Sequence, residues 1–407
     1  MSNTPKLRFK EFSGEWESKK LGDIIEYKKG YAFKSNNYRN EGVRIIKISD
    51  TSATSIKDTD ITCISEEEAF NYEEWKLKAE DIIVSTVGSR PPLYSSMVGK
   101  IILIPKRYEN TLLNQNLVRL RSNNLSTQGY LYTYLNSKKY LNYIEGICRG
   151  NANQVSITLE DLFEYNVSIP SKAEQEKIAS FFSLIDKKIE KQGEKVEALK
   201  DYKKGIMQKI FSRKIRFKDD NGRDYPEWEK VKIKECFEER SERGYSDLEL
   251  LSVSIQDGIK RRCEIEGKDN SSEDKSNYKM VEINDIVYNS MRMWQGASGI
   301  SYYKGIVSPA YTVLKPKSKV YSKYFSYRFK MNDMIYEFRR FSQGLTSDTW
   351  NLKYPQLKDI KVDLPSIDEQ IKISNFIDKI DKKIEKEQEK LDLLNQYKKG
   401  LLQQMFV

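Results

Sequence analysis

Apolar residues recur at steps of three and four through one long stretch of the chain, at Ile178, Phe181, Phe182, Ile185, Ile189, Val196, Leu199, Tyr202, Ile206 and Ile210. The same steps return at Ile373, Phe376, Ile377, Ile380, Ile384, Leu391, Leu394, Tyr397, Leu401 and Met405. Each series draws one stripe along a helix. The enclosing segments, 170–211 and 365–406, align without a gap, and about half of the aligned positions are identical. Pro170 and Pro365 stand just ahead of the helical runs, where a missing backbone donor costs little, and no proline interrupts either run. The spacing therefore predicts two continuous helices, each roughly 60 Å long at about 1.5 Å per residue. A stripe of that length needs a partner along it, and the other copy is the obvious one. Gln192 and Glu387 fall where the stripe calls for a hydrophobe. A polar residue in a seam either fixes its register or marks local fraying, and the pattern leaves both open.

Shorter, β-rich runs fill the rest. VRIIKIS, DIIVSTV, GKIILIP and NLVRLRS read as strands ahead of the first long helix, and LELLSVS, DIVYNSM and YTVLKP ahead of the second. Asp81-Ile82-Ile83-Val84 corresponds to Asp285-Ile286-Val287-Tyr288. Between the last strand and each long helix, TQGYLYTYLNSKKYLNYIEGI and KYFSYRFKMNDMIYEFRRF have the period of shorter amphipathic helices. Leu7, Arg8, Phe9, Lys10 and Trp16 reappear as Ile215, Arg216, Phe217, Lys218 and Trp228, so the order is module, helix, module, helix. The loops differ: 89–97 against 292–299, and 149–154 against 339–348. A shared frame with unlike tips is the pattern of a scaffold presenting different surfaces.

Charge and composition narrow the chemistry. A net charge of +10 over 407 residues favours a polyanionic partner. No apolar run approaches a membrane span and MSNTPKLRFK lacks an export core, which predicts a cytoplasmic protein with no membrane partner. The sequence contains no histidine, which removes Ser-His and Cys-His nucleophile pairs, the HExxH zinc site and an imidazole base. Cys63, Cys148, Cys236 and Cys263 are scattered and read as buried thiols, so no metal and no cofactor is expected. Two partial motifs fail on inspection. Arg90-Pro91-Pro92-Leu93-Tyr94 lacks the amide or carboxylate that an amino methyltransferase needs, and Asp60 with Glu74-Trp75-Lys76 is a nuclease-like spacing that a chain this rich in charge produces by chance.

With the repeat, the Pro-x-x-x-Glu-Gln lead into each helix (Pro170, Glu174, Gln175; Pro365, Glu369, Gln370) and the Asp-Ile-Ile/Val strand of each module, the chain resembles the specificity subunit of type I restriction-modification enzymes along its whole length. The resemblance implies an α+β fold of two tandem mixed target recognition domains, each followed by a long helix, with the two helices paired as an antiparallel coiled coil of pseudo-two-fold symmetry. It places the first recognition domain at 1–168, the first helix at 169–212, the second domain at 213–363 and the second helix at 364–407. It further implies a non-catalytic subunit: each domain reads one half of a split, asymmetric double-stranded DNA target. The helices set the spacing and dock two methyltransferase subunits, which restriction and motor subunits join. The competing interpretation is a coiled-coil scaffold whose modules bind proteins. A nuclease or methylase acting alone is a third.

Candidate DNA contacts follow from the tips. In the first module these are Thr86, Ser89, Arg90 and Tyr94 on one loop and Arg149, Asn151, Asn153 and Gln154 on another. In the second they are Asn289, Arg292, Trp294 and Gln295, then Arg339, Arg340, Gln343, Thr346 and Ser347. Arginine can grip a guanine edge with two hydrogen bonds and an amide can pair with adenine, while hydroxyls suit phosphate. The same residues also suit plain polar turns, and Trp294 also suits core packing.

Overall fold

The computed structural model describes residues 4–52, 55–91, 96–151, 154–255, 258–265, 267, 269 and 271–406. Two compact units emerge, one built from residues 1–194 with 388–407, the other from 195–387. The fold is mixed, with two tandem modules each followed by a long helix, Lys172–Phe211 and Ile367–Met405.

In the first unit the central sheet has four antiparallel strands in the order Ile25–Lys29, Leu117–Ser122, Ile82–Ser85, Ile101–Leu103. In the second unit Phe237–Arg240, Tyr311–Pro316, Ile286–Asn289 and Ser298–Ile300 take the same order. A two-stranded ribbon accompanies each, Glu17–Lys20 with Asn166–Ile169 and Glu229–Lys232 with Lys361–Leu364. The Asp-Ile-Ile/Val strand is central in both sheets because its apolar residues bury on both faces. Its aspartate turns aside to meet an arginine: Arg121 at 2.6 and 2.9 Å from Asp81, Arg240 at 2.7 and 3.3 Å from Asp285. Burial pulls the Asp285 carboxyl up from its usual range, and the Arg240 guanidinium acts against that.

The amphipathic stretches before each long helix form two short helices apiece, Gln128–Tyr134 with Lys138–Ile147 and Ser322–Arg328 with Asn332–Phe341. Ser137 separates the first pair, its hydroxyl accepting the Tyr140 N–H at 3.3 Å as an N-cap.

Each long helix starts with a serine cap, Ser171 and Ser366, followed by the Glu-Gln pair. The pair locks helix to module. Arg8 donates twice to Glu174 at 2.7 Å, and Arg216 donates to Glu369 at 3.4 and 3.1 Å, with the Trp228 indole N–H adding a third bond at 2.8 Å. Gln175 accepts from the Thr127 N–H and donates to the carbonyls of Leu125 and Pro170. Gln370 does the same with Tyr321, Lys319 and Pro365.

Within each unit the two helices run antiparallel. In the first, Phe182 lies against Phe406 and Asp186 pairs with Lys398 at 2.5 Å. In the second, Lys195 pairs with Glu387 at 3.1 Å and Lys203 with Asp381 at 2.5 Å. Glu387 is buried inside continuous helix, so its charge is answered across the seam and the backbone does not fray there. Tyr202 and Tyr397, which the spacing puts on the stripe, are instead 53% and 56% exposed.

The first unit's core joins Trp16, Tyr130, Tyr134 and Phe182 to Leu401, Leu402, Met405 and Phe406. The second joins Trp228, Tyr324 and Phe325 to Met207, Ile210 and Phe211. All four cysteines are free; Cys63 and Cys236 are buried and Cys148 partly so, but Cys263 is exposed, against the expectation of burial, because its short helical turn lies at the surface.

Candidate nucleic-acid interface

The tips of each module are built from segments far apart in sequence. In the first unit Val87–Gly88 pairs with Gln154–Ser156, which pairs with Arg149–Asn151, so both predicted loops meet in one small sheet. Thr86 and Ser89, on either side of Val87–Gly88, tie that strand to its surroundings. The Thr86 hydroxyl donates to the Asn116 carbonyl at 3.1 Å, and the Ser89 and Ser96 hydroxyls are 2.8 Å apart. Arg90 is partly buried beside Cys148, whose thiol is pushed up by burial while the nearby guanidinium draws it down. Arg149 is exposed but donates to Asp161 at 2.6 Å, and Asn151 and Gln154 are exposed at the hairpin end. Tyr94 and Asn153 lie outside the described residues.

The second unit's predicted loops also converge. Asn289 closes the end of its strand, its Oδ1 accepting the Met291 N–H at 3.0 Å. A single helical turn, Met293–Gln295, follows and carries Trp294; it ends at Gly296, whose φ of +83° suits glycine. Arg339 and Arg340 sit at the exposed end of Asn332–Phe341, and Arg340 pairs with Glu337 at 3.0 Å. The tip beyond them is pinned by reciprocal backbone bonds between Gln343 and Asn351, and Thr346 and Thr349 close it internally. Leu352 N–H donates to the Ser290 carbonyl at 2.9 Å, which ties the tip to the Asn289 loop. Arg292 and Trp294 are half-buried, while Gln295, Gln343, Thr346 and Ser347 are exposed.

Two residues of this surface escaped the sequence reading. Trp350 lies just past the end assigned to the loop, and its ring meets Trp294 edge-on with centroids 5.3 Å apart. An aromatic residue inside a polar tip was the available signal. Lys330 donates to the carbonyls of Gly296 at 2.6 Å and Ile255 at 3.1 Å, and burial lowers its ammonium to about 8. Nothing in its local sequence distinguishes it from its many neighbours of the same type.

The nuclease-like spacing does not assemble. Glu74 is taken by Lys28, and Lys76 by Glu73. Among the described residues no group of three or more His, Cys, Asp and Glu is placed to hold a metal ion, and no helix is long and apolar enough to cross a membrane. What the tips offer is a set of hydrogen-bond donors and amides on rigid supports.

The family described as the type I restriction modification DNA specificity domain matches residues 13–200 and again 225–396. The chain belongs to this family. Both matched stretches run from the start of a module into its long helix. Within the type I specificity family, the chain is 27% identical over 237 residues to a putative type I restriction enzyme MjaX specificity subunit of Methanocaldococcus jannaschii, covering 57% of this chain and 55% of that protein. It is 25% identical over 213 residues to the MjaVIII specificity subunit of the same organism, covering 52% and 49%. The chain thus spans about half the length of the curated relatives it matches. In fold it is similar to a crystal structure of the type I restriction-modification S subunit from M. genitalium, with a TM-score of 0.56 at 18% identity over 99% of both chains. A structure titled for complex assembly and conformational transition of the type I R-M system gives 0.55 at 16% identity, over 95% and 96%.

Proposed function

We propose that the chain is the non-catalytic, DNA-reading subunit of a type I restriction-modification complex, each module reading one half of a split, asymmetric target. The observation that carries the proposal is the contrast inside the repeat: the same four-stranded order in both modules beneath tips of unlike sequence, one a three-stranded sheet and the other a helical turn tied to a bridged loop. Two unlike readers on one frame require two unlike half-sites. On this reading the domains are 1–168 and 213–363, and the helical segments 169–212 and 364–407 set the spacing between half-targets. Their duplicated surfaces dock two methyltransferase subunits, to which restriction and motor subunits add. The methyl donor is bound by those partners. Family membership and the titles of the relatives support this, as does the net charge of +10.

Lysine and arginine supply affinity by displacing counterions from phosphates, and the tip donors supply discrimination. The test is selection from a randomised duplex library by the purified chain with its methyltransferase partners. The expected result is enrichment of one split target, with affinity falling about a thousandfold or more between 50 and 200 mM salt if six or more phosphates are contacted. Equal binding to every duplex would overturn the proposal, and affinity indifferent to salt would favour a protein-binding scaffold.

A further inference from the structure

We propose that Arg339 is the base-reading arginine of the second module and that Trp350 is its positioning residue, itself held through Trp294 and Lys330. The assignment rests on the DNA-reading function proposed above. The Arg339 guanidinium lies 5.1 Å from the centroid of the Trp350 ring, and it makes no ion pair or hydrogen bond with any described residue. Its neighbour Arg340 is paired with Glu337, and Arg149 of the first module is paired with Asp161. Those arginines must leave a carboxylate before gripping a base. Arg339 keeps all five donors available while its cation lies over the Trp350 ring.

The stack is supported from beneath. Trp350 packs edge-on against Trp294, whose indole N–H is committed to the Met291 carbonyl at 3.1 Å. The turn that carries Trp294 is held from behind by Lys330 on the Gly296 carbonyl. On its inner side Gly296 faces the Ile335 side chain, whose Cδ1 would lie 2.9 Å from a Cβ placed on the glycine. On the other flank Asn351 and Leu352 are bonded to Gln343 and Ser290. The Trp350 indole N–H itself has no partner among the described residues. An arginine held before DNA arrives loses less freedom on binding, and its paired N–H donors match the two acceptors of guanine.

The test uses the full chain with its methyltransferase partners and compares library selection by the unaltered chain, Arg339→Ala, Trp350→Ala, Trp350→Phe and the Arg339→Ala/Trp350→Ala double variant. Arg339→Ala is expected to lose selection on the order of tenfold or more at one guanine of the second half-target. Trp350→Ala should lose part of the selection at that same position, the double variant should be no worse than Arg339→Ala, and Trp350→Phe should retain it. The first half-target should be read unchanged throughout. Effects at different positions, effects that multiply in the double variant, or an even loss over both half-targets with a lowered unfolding midpoint would each overturn the assignment. Absence of any selection by the unaltered chain would instead overturn the DNA-reading proposal, and this assignment with it.

Discussion

A buried carboxylate is stable only when its charge is answered on the spot. Glu174 and Glu369, 1% and 0% exposed, are answered by arginines of the repeated Arg-Phe-Lys segments, Arg8 and Arg216. Glu369→Ala leaves the Trp228 N–H without its acceptor, while Arg216 keeps Glu227 and the Tyr225 and Pro226 carbonyls, and the expected loss of unfolding free energy is about 1–3 kcal/mol in urea titration, with Glu174→Ala somewhat milder. Both segments and both Glu-Gln pairs were visible as repeats in the sequence. Their pairing was not, because Arg8 and Glu174 are 166 positions apart and a chain with 70 basic and 60 acidic residues offers too many alternatives. Lys330 gives a pH prediction. Its ammonium titrates near 8 in the folded protein against an ordinary 10.5. Between those values the unfolded chain holds more protons, so stability gains as pH rises through that window. Measured against Lys330→Met, the unaltered chain should gain unfolding free energy from about pH 7 to about pH 10; a constant difference between the two would rule out a buried ammonium.

At the scale of elements, period and composition gave the long helices and most strands, since a stripe or an alternation needs no tertiary knowledge. The break at Ser137 was missed because the amphipathic period continues across it while a serine cap interrupts the backbone bonds. The exposure of Tyr202 and Tyr397 is local, since Ile210, Leu401 and Met405 further along the same stripes are buried. Gln370 joins three elements, the long helix, its own lead-in and the start of Ser322–Arg328. Gln370→Ala should leave the Tyr321 amide without its acceptor, lower its hydrogen-exchange protection and cost about 1–3 kcal/mol locally. Unchanged exchange at Tyr321 would show that the glutamine is not the staple.

For the molecule as a whole, the duplication was legible because it is written in the chain. The pairing of Val87–Gly88, Gln154–Ser156 and Arg149–Asn151 in one sheet was not, because it depends on a register that no segment specifies alone. Modular reading predicts that exchanging residues 1–168 for another reader's first module changes one half-target only, which methylation mapping of the hybrid would check. Removing seven residues from one long helix should shorten or abolish the tolerated gap between half-targets, whereas an unchanged gap would refute the spacer role.

The first unit is closed by residues 388–407, whose Phe406 ring packs on Trp16, Tyr130, Tyr134 and Phe182. The second unit is one contiguous segment, Lys195–Glu387. A ribosome therefore releases every residue of the second unit before it supplies the last helical strip of the first. Throughout that interval Trp16, Tyr130, Tyr134 and Phe182 lack the Phe406 ring they pack on, and apolar surface left open in this way favours aggregation. The module translated first is the one finished last.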